Sequence, residues 1–308
     1  VASPKIALFT YGDFCEIALL TMRQLDAIVC GLVVAENRPP SEWDIALQAA
    51  SKYEVPILMQ PRAGRLASFL PELAAWQPDL ILIWSYSLIL TDAIISIPAQ
   101  GVYNIHGGLL PEYRGPHVMQ WAIINGEPFT GVTLHKVDVG IDTGPIIGES
   151  RFPIEPDDDA GTVHLKLIHA GRDVLATHWD AVEKGCCQLQ PQDGSRACYY
   201  PKIRPDDGII DWYQPCEKIR NRIRAFVKPW WGAFTFWHQN KIKVWASACP
   251  SGVSSGAEPG TILGQENGGL RVATGSGDIL LLSYEWDVGA TSTGDGVPHG
   301  RFDAFKGI

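Results

Sequence analysis

Three side chains in one stretch of the 308-residue chain have the types that acyl transfer to an amine requires: Asn104, His106 and Asp142. The attacking amine must lose a proton, the tetrahedral oxyanion needs a donor, and the leaving nitrogen must gain a proton. An Asn amide can donate to the oxyanion, an effect of about 2.7–4 kcal/mol where a single donor has been removed from other enzymes. Imidazole has the unperturbed pKa nearest neutrality, so His106 can exchange protons or stabilise charge. Asp142 can orient that imidazole, favour its protonated form, or relay protons through water. No Ser or Cys stands where a covalent nucleophile is expected, so direct attack by the substrate's amine is favoured. Each motif alone is ordinary, because Asn-x-His after a strand is commonly turn chemistry and an Asp before Thr-Gly is commonly a loop cap. Their presence in one strand–loop–helix–strand–loop unit is what points to a site.

The elements that must position them read as an α/β domain. Apolar runs at 5–10, 27–34, 56–60, 80–84 and 101–105 predict strands, and helices are expected at 41–53, 65–75 and near 92–96. Such alternation predicts a mostly parallel sheet of Rossmann-like type, with a ligand at the carboxyl ends of its strands. The first strand–helix turn carries no GxGxxG, which turns down a dinucleotide-dependent dehydrogenase. Further on, 132–137 and 144–152 read as strands and 160–183 as a long helix with apolar residues at helical spacing. A polar stretch at 188–204 reads as a linker between a catalytic domain, 1–187, and a second domain, 205–308. The second domain predicts one helix, 215–227, and short strands at 232–237, 241–247, 260–263, 270–274 and 278–285, the texture of a small β-barrel or sandwich. The tail at 289–300 reads as loosely held.

Bulk properties narrow the class. With 46% hydrophobic and 19% charged residues the composition is that of a globular protein, and no apolar run is long enough to span a bilayer. The first residues, VASPKIALFTYG, read as a strand and not as a signal peptide. Seven scattered cysteines without a CxxC are expected to be reduced thiols of a cytoplasmic protein, and no metal site is expected. The formal net charge of −9 is uneven: residues 1–200 carry 13 Lys and Arg against 23 Asp and Glu, and residues 201–308 carry 12 against 11. Neither part has the basic excess of a nucleic-acid footprint.

The ordered pattern Asn104-Ile105-His106, Gly107-Gly108-Leu109-Leu110-Pro111-Glu112-Tyr113-Arg114-Gly115, Gly131-Val132-Thr133 and Asp138-Val139-Gly140-Ile141-Asp142-Thr143-Gly144 resembles the 10-formyltetrahydrofolate-dependent formyltransferases. That group includes methionyl-tRNA formyltransferase, glycinamide ribonucleotide formyltransferase and the sugar-nucleotide amine formyltransferases. The resemblance implies that Asn104, His106 and Asp142 are the catalytic trio and that N10-formyltetrahydrofolate is the cosubstrate. It also implies a pterin slot between Tyr86, Ser87, Leu88, Ile89 and Leu90 on one side and Asp138, Val139, Gly140 and Ile141 on the other. An apolar slot edged by backbone N–H and C=O groups suits a flat heterocycle. Tyr200-Pro201-Lys202-Ile203, Asp207-Gly208-Ile209-Ile210-Asp211-Trp212, Arg224-Ala225-Phe226 and Pro229-Trp230-Trp231-Gly232-Ala233-Phe234 extend the resemblance to an OB-like β-barrel C-terminal domain.

The acceptor is less constrained. Residues 36–44, where the tRNA branch carries a basic loop, are short and net acidic here, which disfavours tRNA. Arg114, Arg220 and Arg224 are the expected acceptor contacts, as charges for phosphates, although a solvated helix face accounts equally well for the last two. A small-molecule amine, nucleotide-linked as in an amino sugar, is the favoured acceptor. A hydroxyornithine-type siderophore precursor, an aminoacyl starter on a peptide synthetase, and a non-catalytic folate-binding or RNA-binding paralogue remain as alternatives. Hydrolysis of formyl-folate shares the trio, but would ordinarily come with a regulatory domain in place of the barrel. No membrane partner is expected, and the sequence does not fix an oligomeric state.

Overall fold

In the computed structural model, which describes residues 3–250, 252, 254–287 and 298–303, the apolar runs of the first half become strands β1 (Lys5–Phe9), β2 (Ile28–Ala35), β3 (Ile57–Gln60), β4 (Leu80–Trp84) and β5 (Val102–His106). Two more strands, β6 (Phe129–Lys136) and β7 (Ile146–Pro153), complete a seven-stranded sheet of order β3-β2-β1-β4-β5-β6-β7. Pairing is parallel from β3 through to β5. Every residue of β4 is buried, as expected of a strand covered on both faces. On one face Ala7, Phe9, Val33, Ile81, Ile83 and Val102 meet Phe69 and Leu73 of helix α3 (Phe69–Ala75) and Ile94 of α4 (Asp92–Ile95). On the other, Phe14 of α1 (Phe14–Gln24) lies against Trp84. Gly171 of α6 (Ala160–Glu183) touches the same indole, and a Cβ there would come within 2.6 Å of the ring. Helix α2 (Pro40–Lys52) packs beside α1.

The predicted alternation holds, with one departure that matters for the site. Strand β6 runs antiparallel to β5, pairing Asn104 with His135 and His106 with Thr133. The side chains expected at the carboxyl ends of two parallel strands therefore come from one strand, β5, and from a loop that returns over the sheet from the opposite end of β6. Asn104 and His106 are two residues apart, so they share a face with their cross-strand partners.

The chain divides into two compact units, one of residues 1–115, 131–152 and 167–200, the other of 116–130, 153–166 and 201–308. The stretch expected as a linker is largely ordered within the first unit. Gln190 bridges Ile146 of β7, and Tyr199 bridges Arg114 in parallel. The second unit holds α5 (Val118–Asn125), α7 (Cys216–Ala225) and a five-stranded antiparallel sheet of β8 (Ala233–Trp237), β9 (Asn240–Ala248), β10 (Ile262–Glu266), β11 (Gly269–Ala273) and β12 (Asp278–Trp286). Its order is β10-β11-β12-β9-β8, the smaller antiparallel β domain expected after the Rossmann-like sheet, with no closing β10–β8 pair among the described residues. Helix α7 is amphipathic, with Ile219 and Ile223 buried and its arginines on the polar side. Most of the expected loose tail, 289–300, lies outside the described residues.

The expectation of seven reduced thiols is corrected at one pair: Cys216 and Cys249 form a disulfide within the second unit. The spacing of 33 residues carries no motif, and only folding brings the start of α7 to the end of β9. Among the described residues no helix is long and apolar enough to cross a membrane, and no cluster of His, Cys, Asp or Glu could hold a metal ion.

Candidate active site

The carboxylate of Asp142 stands between two imidazoles. Its Oδ1 is 3.6 Å from Nδ1 of His106 and 3.7 Å from Nε2 of His135. Its Oδ2 accepts a hydrogen bond of 2.9 Å from the backbone N–H of Gly115. The histidines are buried, and the Asp142 side chain is 15% exposed. Each ring's tautomer follows from its other partner, because a carbonyl can only accept. Nε2 of His106 meets the carbonyl of Tyr113 at 2.6 Å and so carries a hydrogen, which leaves Nδ1 toward the carboxylate. Nδ1 of His135 meets the carbonyl of Lys136 at 3.1 Å and so carries a hydrogen, which leaves Nε2 to accept from Nδ2 of Asn104 at 3.0 Å. One N–H of the Asn104 amide is thereby fixed, and the other is available to a ligand.

Thr133 ties this patch to the glycine turn. Its hydroxyl donates to Gly108 O at 2.8 Å and accepts from Leu110 N at 3.1 Å. Asp142 has φ +53, a left-handed conformation uncommon outside glycine, and one that Asp tolerates better than most residues. Gly144, two residues on, has no alternative, since a Cβ would fall 1.7 Å from Lys136 O. Burial raises the Asp142 pKa, but His106, His135 and the Gly115 N–H together outweigh it and hold the carboxyl well below the usual range. The site thus holds an anion near neutrality beside an imidazole and a free amide N–H. That set can orient an imidazole, stabilise its cation and donate to an oxyanion.

The other residues singled out from the sequence sort differently. Tyr86 donates its phenol to Gln60 Oε1 at 2.9 Å, Ser87 donates to Asn37 Oδ1 at 2.8 Å, and Tyr86 and Leu90 pack on the sheet core. Leu88 is half-buried, whereas Ile89 is 72% exposed. On the loop after β6 Asp138 accepts from Gly140 N and Thr143 Oγ1, and Val139 is 81% and Ile141 48% exposed. Exposed apolar side chains on two loops with backbone polar edges are what a flat heterocycle needs. Arg114 is buried and committed: its guanidinium donates to Gln192 Oε1 and to the Tyr199 hydroxyl. In the second unit Arg220 donates to Pro156 O, and Arg224 donates to Glu155 O, Asp158 O and Asn221 Oδ1. These two guanidiniums hold backbone carbonyls of residues 155–158 instead of projecting freely.

The sequence reading missed His135 and Gln192. Period-two alternation could have found His135, which lies two residues after Thr133 on the strand paired with Asn104. Gln192 had no signal, being distant in sequence from all its partners.

The Formyl transferase family model matches residues 23–178, and the model of the formyl transferase C-terminal domain matches residues 202–296. This chain belongs to the formyl transferase family. Its curated relatives include the methionyl-tRNA formyltransferase of Citrifermentans bemidjiense, 34% identical over 286 residues, covering 91% of this chain and 88% of that protein. Another is the methionyl-tRNA formyltransferase of Roseiflexus sp., 37% identical over 262 residues, covering 83% and 80%. Solved structures share the fold at lower identity. WlaRD, a sugar 3N-formyl transferase crystallised with dTDP and 5-N-formyl-THF, superposes with a TM-score of 0.70 at 19% identity, covering 91% of this chain and 97% of that one. An N-formyltransferase from Helicobacter canadensis, in complex with folinic acid and dTDP-3-aminofucose, gives 0.69 at 18% identity, covering 91% and 99%.

Proposed function

We propose that this formyltransferase moves the formyl group of N10-formyltetrahydrofolate to the primary amine of a nucleotide-linked amino sugar, with Asn104, His106 and Asp142 as catalytic residues. The observation that carries the reaction is the Asp142 carboxylate set within 3.6–3.7 Å of His106 and His135, beside the Asn104 amide. The neutral amine attacks the formyl carbon and forms a C–N bond. The free N–H of Asn104 donates to the oxyanion, and His106, its charge balanced by Asp142, stabilises the same intermediate. The proton lost by the attacking nitrogen is passed to N10 as the C–N10 bond breaks, giving a formamide and tetrahydrofolate. The pterin is assigned to the slot of Tyr86, Ser87, Leu88, Ile89 and Leu90 against Asp138, Val139, Gly140 and Ile141, supported by the exposed apolar side chains on both loops.

For the acceptor, the cations that follow β2 and β3 support a small molecule. Arg38, after β2, is paired with Glu42, and Arg62 and Arg65, after β3, share Glu36, so these two loops offer a nucleic-acid backbone little unneutralised charge. The H. canadensis neighbour, bound to dTDP-3-aminofucose, supports the same class. A second reading, methionyl-tRNA formylation, is favoured by the 34–37% identical relatives that bear that name. Incubation with 10-formyltetrahydrofolate and a panel of charged initiator tRNA, UDP- and dTDP-amino sugars and hydroxyornithine, read by mass spectrometry, tests both. A mass gain of one formyl group on a sugar nucleotide is expected. A gain on the tRNA alone would replace the first reading by the second.

A further inference from the structure

A glutamine far from the trio in sequence joins its two loops. Gln192 donates Nε2–H to Asp142 O at 2.9 Å and to Gly144 O at 2.7 Å. Its Oε1 accepts from Nε and Nη2 of Arg114 at 3.1 and 2.7 Å. The amide's orientation is fixed by chemistry, since a guanidinium only donates and carbonyls only accept. Arg114 is held in turn by the Tyr199 hydroxyl at 2.8 Å, by its N–H to Cys198 O and by Tyr200 N–H to its own carbonyl. The residue after Arg114 is Gly115, whose N–H donates to the Asp142 carboxylate. Gly115 has φ +99, and a Cβ there would lie 2.5 Å from Tyr200 O. Thus the Asp142 backbone, in its left-handed conformation, and the Asp142 side chain are both tied to residues 114–115, the backbone through Gln192.

We propose that Gln192 is a positioning residue for formyl transfer, clamping the backbone of Asp142 and Gly144 to Arg114 so that the carboxylate stays between His106 and His135. The inference rests on the role proposed above for Asp142. A left-handed Asp relaxes readily once its carbonyl restraint is lost, and a displacement near 1 Å can cost about 100-fold in rate. The charged and titratable groups facing the carboxylate are His106 from β5, His135 from β6 and, through Gln192, Arg114; Asp138 lies on its own loop.

The test uses the full chain with Gln192→Ala and Gln192→Glu. The Glu variant keeps a partner for Arg114 but sets a carboxylate against two carbonyls, so it preserves the test should the Ala variant fail to fold. Without any substrate, NMR of 13C-carboxyl-labelled aspartate, assigned with Asp142→Asn, is expected to show Asp142 ionised to the acid limit of the folded wild type and titrating at higher pH in both variants. With a competent acceptor, kcat is expected to fall about 10- to 100-fold while KM for either substrate moves less than about threefold. Adding Gln192→Ala to Asp142→Asn is expected to cause no further loss, because one acts through the other. An unshifted titration, or losses that multiply in full, would overturn the clamp. The titration requires no turnover, so a wrong acceptor or a wrong reaction cannot be mistaken for a failure of the clamp.

Discussion

Nε2 of His135 accepts a hydrogen bond from Nδ2 of Asn104 at 3.0 Å, and the same nitrogen lies 3.7 Å from the Asp142 carboxylate. His135 therefore orients the amide proposed to donate to the oxyanion and faces the group that balances charge. Replacing it by Ala removes the only acceptor that the amide's engaged N–H has among these residues, so the amide can rotate. The expected outcome for His135→Ala is a fall in kcat of about 10- to 100-fold, the scale of a lost oriented donor, with folate binding little changed. His135→Gln, which can restore an acceptor, is expected to recover part of it. Steady-state kinetics with folate titration checks both, and equal kcat in all three proteins would remove His135 from the site.

Asp142→Asn keeps the shape of the side chain and removes its charge. It is expected to lower kcat by at least about 100-fold, since the imidazolium of His106 loses its counter-ion, while folate binding measured by fluorescence titration stays within a few-fold. His106→Ala is expected to behave alike. Activity of the wild type is expected to fall on the acid side, as the attacking amine becomes protonated, and a flat profile from mild acid to neutrality would argue against the proton roles.

The lowered pKa of Asp142 also predicts a stability effect of definite sign. A carboxyl whose folded pKa lies below its unfolded value, about 3.9, stabilises the fold above that unfolded value, and the contribution is lost as pH falls toward the folded pKa. The difference in thermal midpoint between wild type and Asp142→Asn is therefore expected to be constant near pH 6 and to shrink below about pH 4. A difference that does not change between pH 6 and pH 3 would mean that the charge is not what the two histidines and Gly115 stabilise.

The disulfide makes a separate prediction for the second unit. Cys216 and Cys249 close a loop of 33 residues, for which chain entropy gives roughly 3–4 kcal/mol. Reduction, or Cys249→Ser, is expected to lower the thermal midpoint by roughly 5–10 °C. Cys15 and Cys30, whose thiols burial pushes up to about 12 and about 11, are expected to resist alkylation in the folded protein. Peptide mapping of alkylated protein distinguishes the pairs, and a fully alkylated Cys216 in the absence of reductant would contradict the bond.

Much of this was legible in the residues. Strand β4 is a run of apolar residues long enough to be buried on both faces, and α6 shows its helical period for the whole of Ala160–Glu183. Asn104, His106 and Asp142 stand out in the sequence because an amide, an imidazole and a carboxylate fall in one strand–loop–helix–strand–loop unit. What could not be read was pairing. The direction of β6 is set by how the chain between β5 and β6 turns back, which no local pattern encodes, and the antiparallel pairing brings His135 opposite Asn104. The polar segment 188–200 looked like a linker because its composition is that of a loop. Its order comes from partners about 50 to 85 residues away, which no local pattern encodes. The same holds for Cys216 and Cys249.

Arg224 separates a structural charge from a ligand contact. One turn along α7 from Arg220 it reads as a phosphate contact, but its guanidinium donates to Glu155 O at 3.1 Å, Asp158 O at 2.9 Å and Asn221 Oδ1 at 2.9 Å. Burial lowers its pKa, which marks a cation removed from water and stabilised by fixed partners. Removing it leaves two backbone carbonyls without these donors, at a cost of about 1–3 kcal/mol. Arg224→Ala is therefore expected to lower the denaturation midpoint of the protein while the acceptor's KM, measured well below that midpoint, changes less than about twofold. Arg224→Lys is expected to recover little stability, because a single ammonium cannot reproduce a planar fork directed at several oxygens. A tenfold rise in acceptor KM with unchanged stability would instead assign Arg224 to the acceptor's phosphates.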